Sequence, residues 1–144
     1  MLFRSKLVGT VRTFRPKTQD MIETRLRELV SSIAAAFGAR ATLSYERVYP
    51  PTVNHEAESM FAAAVAESLV GRENVVRNLD PSMGAEDFSF MLQAKPGAFA
   101  RLGQGGADTG GFLHSSRYDF NDAVLPLGAG YLAALAEQAM PIAA

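Results

Sequence analysis

Cysteine is absent from the 144 residues and histidine occurs only twice, as His55 and His114. Without cysteine there is no disulfide framework, no thiolate metal site and no thiol nucleophile, a usage that agrees with a reducing cytoplasm, the expected location. Charge of one sign is missing as well. The formal net charge is -1 and neither sign forms a long block, so nothing electrostatic recommends nucleic acid or an anionic membrane surface, and neither is expected as a partner. No apolar run approaches the about 20 residues that span a bilayer. Met1 to Leu7, with two basic residues interleaved, is too short for a signal peptide. There is no internal repeat and no low-complexity tract. What remains is 48% hydrophobic and 20% charged, the balance of an ordinary globular chain long enough to bury a core.

Taken in order, Leu7 to Phe14 alternates as a half-buried strand rich in β-branched residues, with Arg12 projecting from one face. Thr18 or Asp20 is a candidate cap for a helix whose apolar positions are Ile22, Leu26, Leu29, Val30, Ile33 and Phe37, and Gly38 supplies its left-handed exit. Ala41 to Tyr49 alternates again as a second strand. Pro50-Pro51 fixes two φ angles and removes two donors, which makes it the candidate boundary between residues 1–50 and 51–144. Beyond it, Asn54 is expected to cap a helix from His55 to Val70 that presents Met60, Phe61, Ala64, Val65 and Leu69 on one side and stops at Gly71. Val75-Val76 and Ala98 to Leu102 are candidate short strands, and Ala85 to Leu92 a brief helix with Glu86 and Asp87 in its first turn. Leu125 to Met140 closes the chain as an alanine- and leucine-rich helix, with Asp122 as a possible cap and Pro126 in its first turn.

The richest stretch chemically is Gly111 to Asp122, GFLHSSRYDFND, behind the glycine-rich run Gly103 to Gly111. A neutral imidazole is the commonest metal ligand among side chains, and its second nitrogen usually needs a carboxylate or carbonyl partner. Asp119 and Asp122 are near enough in sequence to serve. On spacing alone, however, a surface-loop histidine without special task describes His114 better, since one imidazole cannot make a metal site. His55 reads as an exposed residue opening a helix. Glu86-Asp87 is a poor acid pair, because neighbours on a helix point about 100° apart. The glycine run has no Lys-Ser/Thr pair behind it, so it reads as a mobile loop or a close backbone approach rather than a phosphate cradle.

Three ordered stretches carry a resemblance. GTVRTF (Gly9 to Phe14), SMGAEDFSFML (Ser82 to Leu92) with PGAFARLG (Pro96 to Gly103), and LHSSRYDFND (Leu113 to Asp122) resemble the C-terminal part of the hippurate hydrolase and N-acyl-amino-acid amidohydrolase family. That family includes the indole-acetyl-amino-acid hydrolases and belongs with the glutamate-carboxypeptidase-like metallopeptidases. The order and spacing match from about Gly9 to Met140.

The resemblance implies an α/β fold class, in which residues 1–50 are the C-terminal half of a βαββαβ lid that often mediates dimers. Residues 51–144 are then the last portion of a catalytic domain built around a two-metal site. It implies that His114 is a metal ligand, to one of two divalent ions, manganese or zinc, that polarise the scissile amide carbonyl and lower the pKa of the attacking water. Arg12 matches a lid arginine suited to a substrate carboxylate. The substrate implied is a small N-acyl amino acid. The family's Cys-x-His pair, its Glu-Glu pair with the general base, and a further histidine lie upstream of the matched region and have no counterpart here. The sequence is therefore expected to begin part-way through a longer protein, whether by gene truncation, by design or by proteolysis. Taken alone it is expected to be inactive, without stable metal, and to self-associate through an unpaired strand edge in residues 1–50. The alternative is a non-catalytic binding or dimerisation module that has lost the catalytic half.

Overall fold

The computed structural model describes residues 4–105 and 111–140. Its helices run in the order α1 (Pro16–Ala36), α2 (Glu56–Val70), α3 (Phe88–Ala94) and α4 (Leu125–Ala139), with short 3₁₀ turns at Arg72–Asn74 and Asp122–Val124. Two compact units are built from them. One joins the residues up to Thr52 with Asp80–Gln93, and the other joins Val53–Leu79 with the residues from Ala94 onward.

In the first unit α1 begins earlier than its candidate caps suggest. Arg15 is extended (φ -125, ψ 131) and Pro16 takes the first helical position, where its missing N–H costs nothing and its fixed φ suits the helix. Asp20 is thereby freed for an ion pair with Arg47. The exit is as the sequence leads one to expect. Gly38 has φ 66, its N–H donates to the Ala35 carbonyl at 3.0 Å, and the Ala39 N–H donates to that of Ala34 at 2.8 Å. Those two bonds form a Schellman motif, in which glycine tolerates the left-handed step. The stripe Ile22, Leu26, Val30, Ala34 is half-buried, at the i, i+4 spacing of one helix face. The neighbouring flank of Leu29, Ile33 and Phe37 is exposed, Phe37 to 85%.

Leu7–Phe14 and Ala41–Tyr49 form no β-ladder among the described residues. Alternation encodes which side chains share a face, but a ladder also needs a partner backbone to take the N–H and C=O groups. The alternation survives only around 42–46, where Leu43 and Tyr45 are half-buried while Thr42, Ser44 and Glu46 are exposed; in 7–14 Thr13 alone is half-buried. Side chains do the tethering in place of a ladder. Arg47 reaches Asp20 at 2.7 Å and Glu23 at 2.8 Å, and Arg27 donates to Glu23 at 2.6 Å and, at 3.5 Å, to the Leu43 carbonyl. The helix expected over Ala85 to Leu92 starts at Phe88 instead. Glu86 is the reason, since its carboxylate accepts from the Phe88 N–H at 3.3 Å and its carbonyl accepts from both the N–H (3.2 Å) and the hydroxyl (2.6 Å) of Ser89. Ser89 is fully buried and Leu92 nearly so, and the Phe90 ring lies 5.8 Å from that of Tyr49.

In the second unit α2 stops at Gly71 (φ 84), where the Asn74 amide caps the Val70 carbonyl at 2.7 Å. Its inward face is not the one expected. Val65 is 1% exposed, yet Met60, Phe61 and Leu69 are 60%, 38% and 45% exposed. The half-buried neighbours of Val65 are alanines, Ala62 and Ala66. Small residues let α4 come close, and the Tyr131 hydroxyl donates to the Ala62 carbonyl at 3.0 Å. Gly128, Tyr131, Ala134 and Leu135 are the half-buried residues of α4, and Val124 just ahead of it is half-buried too. At Gly128 a Cβ would stand 3.2 Å from Leu102 Cδ2, so glycine permits that approach. Neither Val75-Val76 nor Ala98 to Leu102 is a strand. Among the described residues the buried set is Val65, Leu92 and Ser89, a smaller core than the composition leads one to expect. No helix of the described residues is long and apolar enough to cross a membrane.

Candidate functional site

His114 sits between two consecutive tight turns. The Ser115 N–H donates to the Phe112 carbonyl at 3.1 Å, and the Tyr118 N–H donates to the Ser115 carbonyl at 3.1 Å. In the first turn His114 holds the third position with φ 66, the one non-glycine residue with positive φ among those described. That position calls for glycine or asparagine in a type II turn, and a non-glycine residue there is uncommon, although histidine enters it more readily than most. Ser115 Oγ accepts from the Arg117 N–H at 3.2 Å, which stiffens the second turn. The imidazole is exposed.

The segment is clipped at its far end by two amide side chains. Asn121 donates through Nδ2 to the Gln104 carbonyl at 2.9 Å, and its own N–H donates to Gln104 Oε1 at 3.3 Å. Gln104 Nε2 in turn donates to the Asp119 carbonyl at 3.3 Å. Asn121 Oδ1 accepts from the Ala123 N–H at 3.1 Å, so Asn121, one residue before the expected Asp122, caps the 3₁₀ turn that leads into α4. The ring of Tyr118 meets that of Phe120 edge-on at 5.0 Å. Asp119 and Asp122 were the expected carboxylate partners of His114. The backbone carbonyl of Asp119 is engaged with Gln104, and Asp122 opens the 3₁₀ turn. Most of the glycine-rich run expected as a mobile loop, residues 106–110, lies outside the described residues.

His55 opens α2 as expected, being its N-cap residue, but it is not exposed. It is half-buried, its N–H donates to the Gly97 carbonyl at 3.0 Å, and its Nδ1 accepts from the Gly97 N–H at 3.2 Å. The same Nδ1 lies 3.3 Å from the Gly97 carbonyl oxygen, to which it donates in the other ring tautomer. Asn54, expected as a cap, instead pairs with Phe99. Its Oδ1 accepts from the Phe99 N–H at 2.7 Å and its Nδ2 donates to the Phe99 carbonyl at 2.9 Å. This is a strand-like pairing in which a carboxamide stands in for a peptide group. It explains why 98–102 looks strand-forming yet makes no ladder.

Arg12 is exposed, on an irregular segment of the other unit, and makes no ion pair with another described residue. Glu86 and Asp87 serve the start of α3. No three His, Asp or Glu side chains among the described residues converge as a metal site would require; His114 offers one donor. Sequence reasoning missed Arg47, Gln104 and Asn54 as tethers. Their partners lie 15 to 45 residues away, and no local spacing rule reaches that far.

Comparison with known proteins adds what geometry cannot. The model of the family described as peptidase family M20/M25/M40 matches residues 6–138. An IAA-amino acid hydrolase ILR1-like 5 of Arabidopsis thaliana is 33% identical over 134 residues, covering 89% of this chain and 31% of the relative. The hippurate hydrolase of Campylobacter jejuni is 33% identical over 127 residues, 88% of this chain and 32% of its own. A thermostable carboxypeptidase 1 of Saccharolobus solfataricus is 33% identical over 128 residues, 87% and 32%. The chain thus spans about a third of the length of the curated relatives it matches. No solved structure matches it.

Proposed function

Because the chain belongs to peptidase family M20/M25/M40, a family of hydrolases, we propose that it is the C-terminal portion of a metal-dependent amidohydrolase that cleaves the amide bond of small N-acyl amino acids. The observation that carries the reading is the family match along residues 6–138, together with relatives named for hydrolysis of amino-acid conjugates and hippurate. In this reading residues 1–50 are half of a lid that pairs two subunits within an α/β protein, and 51–144 belong to the catalytic domain. His114 supplies one ligand to a site of two divalent ions, manganese or zinc, whose other ligands lie outside these 144 residues. Its exposure on a double turn leaves the ring accessible for that purpose. The residues described here do not make a complete metal site, so no catalytic step is assigned to them. Arg12, exposed and without a described ion-pair partner, is the substrate-binding residue of the reading, its guanidinium forked to meet a carboxylate.

Four measurements test this. The coding frame upstream should encode the Cys-x-His, Glu-Glu and His ligands. Their absence would turn the reading to a non-catalytic binding or dimerisation module. With the full ligand set present, His114→Ala should lower bound metal and hippurate turnover together, while Arg12→Ala should raise KM or reduce kcat/KM. Unchanged kinetics would remove each residue from its role. The isolated chain, given manganese or zinc, should not turn over hippurate.

A further inference from the structure

His114 occupies a backbone region that a non-glycine residue enters at a cost, and such a conformation persists only where its surroundings over-determine it. Here the surroundings can be named. Three hydrogen bonds join the Gln104 and Asn121 side chains to the backbone across the base of the segment that carries the double turn. A fourth, from Ala123 to Asn121 Oδ1, fastens the same amide to the start of the 3₁₀ turn ahead of α4. Asn121 is half-buried, as is Gln104, so water competes for these bonds less than it does on an open loop. Each amide uses both its donor and its acceptor. A carboxylate could reproduce only the accepting half, and an aliphatic residue neither.

We propose that Gln104 and Asn121 are positioning residues: together they hold His114 in its left-handed turn and so fix the direction in which the imidazole leaves the chain. The proposal rests on the reading of His114 as the functional side chain, but its consequence for the turn does not. A ligand held within a few tenths of an ångström needs a locked backbone beneath it. Here two neutral amides supply the lock at a distance of seven or more residues from the ring.

The test uses the full 144-residue chain labelled with nitrogen-15 and carbon-13. Backbone order parameters for Leu113, His114 and Ser115 should lie in the rigid range of about 0.85 and fall below about 0.6 in Asn121→Ala and in Gln104→Ala. In both variants the His114 ring resonances should collapse toward random-coil positions while amide protection in α2 is kept. Asn121→Asp, which keeps Oδ1 for Ala123 but loses the donor to Gln104, should loosen the turn. Gln104→Glu, which keeps the acceptor for Asn121, should loosen it less. The proposal is overturned if order parameters and ring resonances stay put in both alanine variants. It is overturned equally if α2 loses protection along with the turn, since the amides would then be general supports of the unit. Failure of the metal reading would look different. A zinc titration of a longer form carrying the remaining ligands would leave the His114 ring unshifted while the order-parameter result stood.

Discussion

The two compact units are fastened by different chemistry. In the one holding α1, the long-range side-chain ties are charged, with Arg47 bridging Asp20 and Glu23 and Arg27 sharing Glu23. In the one holding α2 and α4 they are mostly neutral, made by Asn54, His55, Gln104, Asn121 and Tyr131, with Arg77 to Glu67 at 2.8 Å as the charged exception. An ion pair tolerates a range of distances and angles and weakens in salt. A neutral amide bond is short-ranged and directional. The candidate ligand His114 stands in the unit whose ties specify angle.

The largest expected effect breaks the neutral unit. Val65→Ala removes two methyl groups from the most buried apolar side chain described and should cost about 2 kcal/mol, transfer and residual cavity combined. Urea unfolding followed by amide resonances of α2 and α4 would read it, and a variant as stable as the parent would show that Val65 anchors nothing. A middle effect sharpens the contrast. Tyr131→Phe deletes the bond to the Ala62 carbonyl and should cost about 1 kcal/mol, independent of salt. Burial raises the Tyr131 pKa above its ordinary value of 10.0. The folded state therefore holds this proton more tightly, and the contribution is complete below pH 10 and lost as pH rises through the folded value. A phenylalanine variant should lack that alkaline loss.

The smallest effect belongs to the charged unit. Arg47→Ala should loosen the 41–49 segment from α1 by less than either change above, and the difference from the parent should vanish near 1 M salt, where the screening length is about 3 Å. Glu23 is lowered below 4.5 first by its hydrogen bonds to Arg27 and then by those to Arg47. The unfolded chain thus binds this proton more readily, so the tie is complete above the ordinary carboxylate value and is lost as pH falls through the depressed one. Acid should release this unit's tether while the Asn54 and Gln104 pairings stand. Proteolysis of the 37–50 segment at low and neutral pH would tell them apart, and equal rates would end the distinction.

Helices were the legible part of this fold. Apolar spacing located α1 and α2, acidic first-turn residues pointed to α3 and alanine and leucine content to α4, and Gly38 and Gly71 marked two ends, because those signals lie within a few residues of what they control. Starts were harder. At Arg15-Pro16 the proline's fixed φ outranked the polar candidates downstream, and at Phe88 the Glu86 carbonyl set the first turn. On α2 Val65 was placed rightly on the packed face, but Met60, Phe61 and Leu69 were not its companions, because large apolar residues draw the eye, whereas the contact to α4 is made at the Ala62 carbonyl. His114 was legible as a residue of interest through its neighbours and through the family resemblance. Its left-handed backbone and the Gln104–Asn121 clip were not, since they arise from pairing across 17 residues.

Asn54 carries one more consequence. Ordinary strand pairing is written in peptide groups, which every residue type but proline shares, so it is largely indifferent to substitution at the paired position. The bond between residue 54 and Phe99 is written in a side chain, and it therefore exists in the genetic text as a single codon. Loss of the Asn54 carboxamide removes both bonds to Phe99 and leaves the junction to His55 and Gly97. The Phe99 half of the junction can thus be lost or regained in one substitution, which makes the strength of the attachment of 97–99 to the head of α2 a heritable, adjustable trait of this chain.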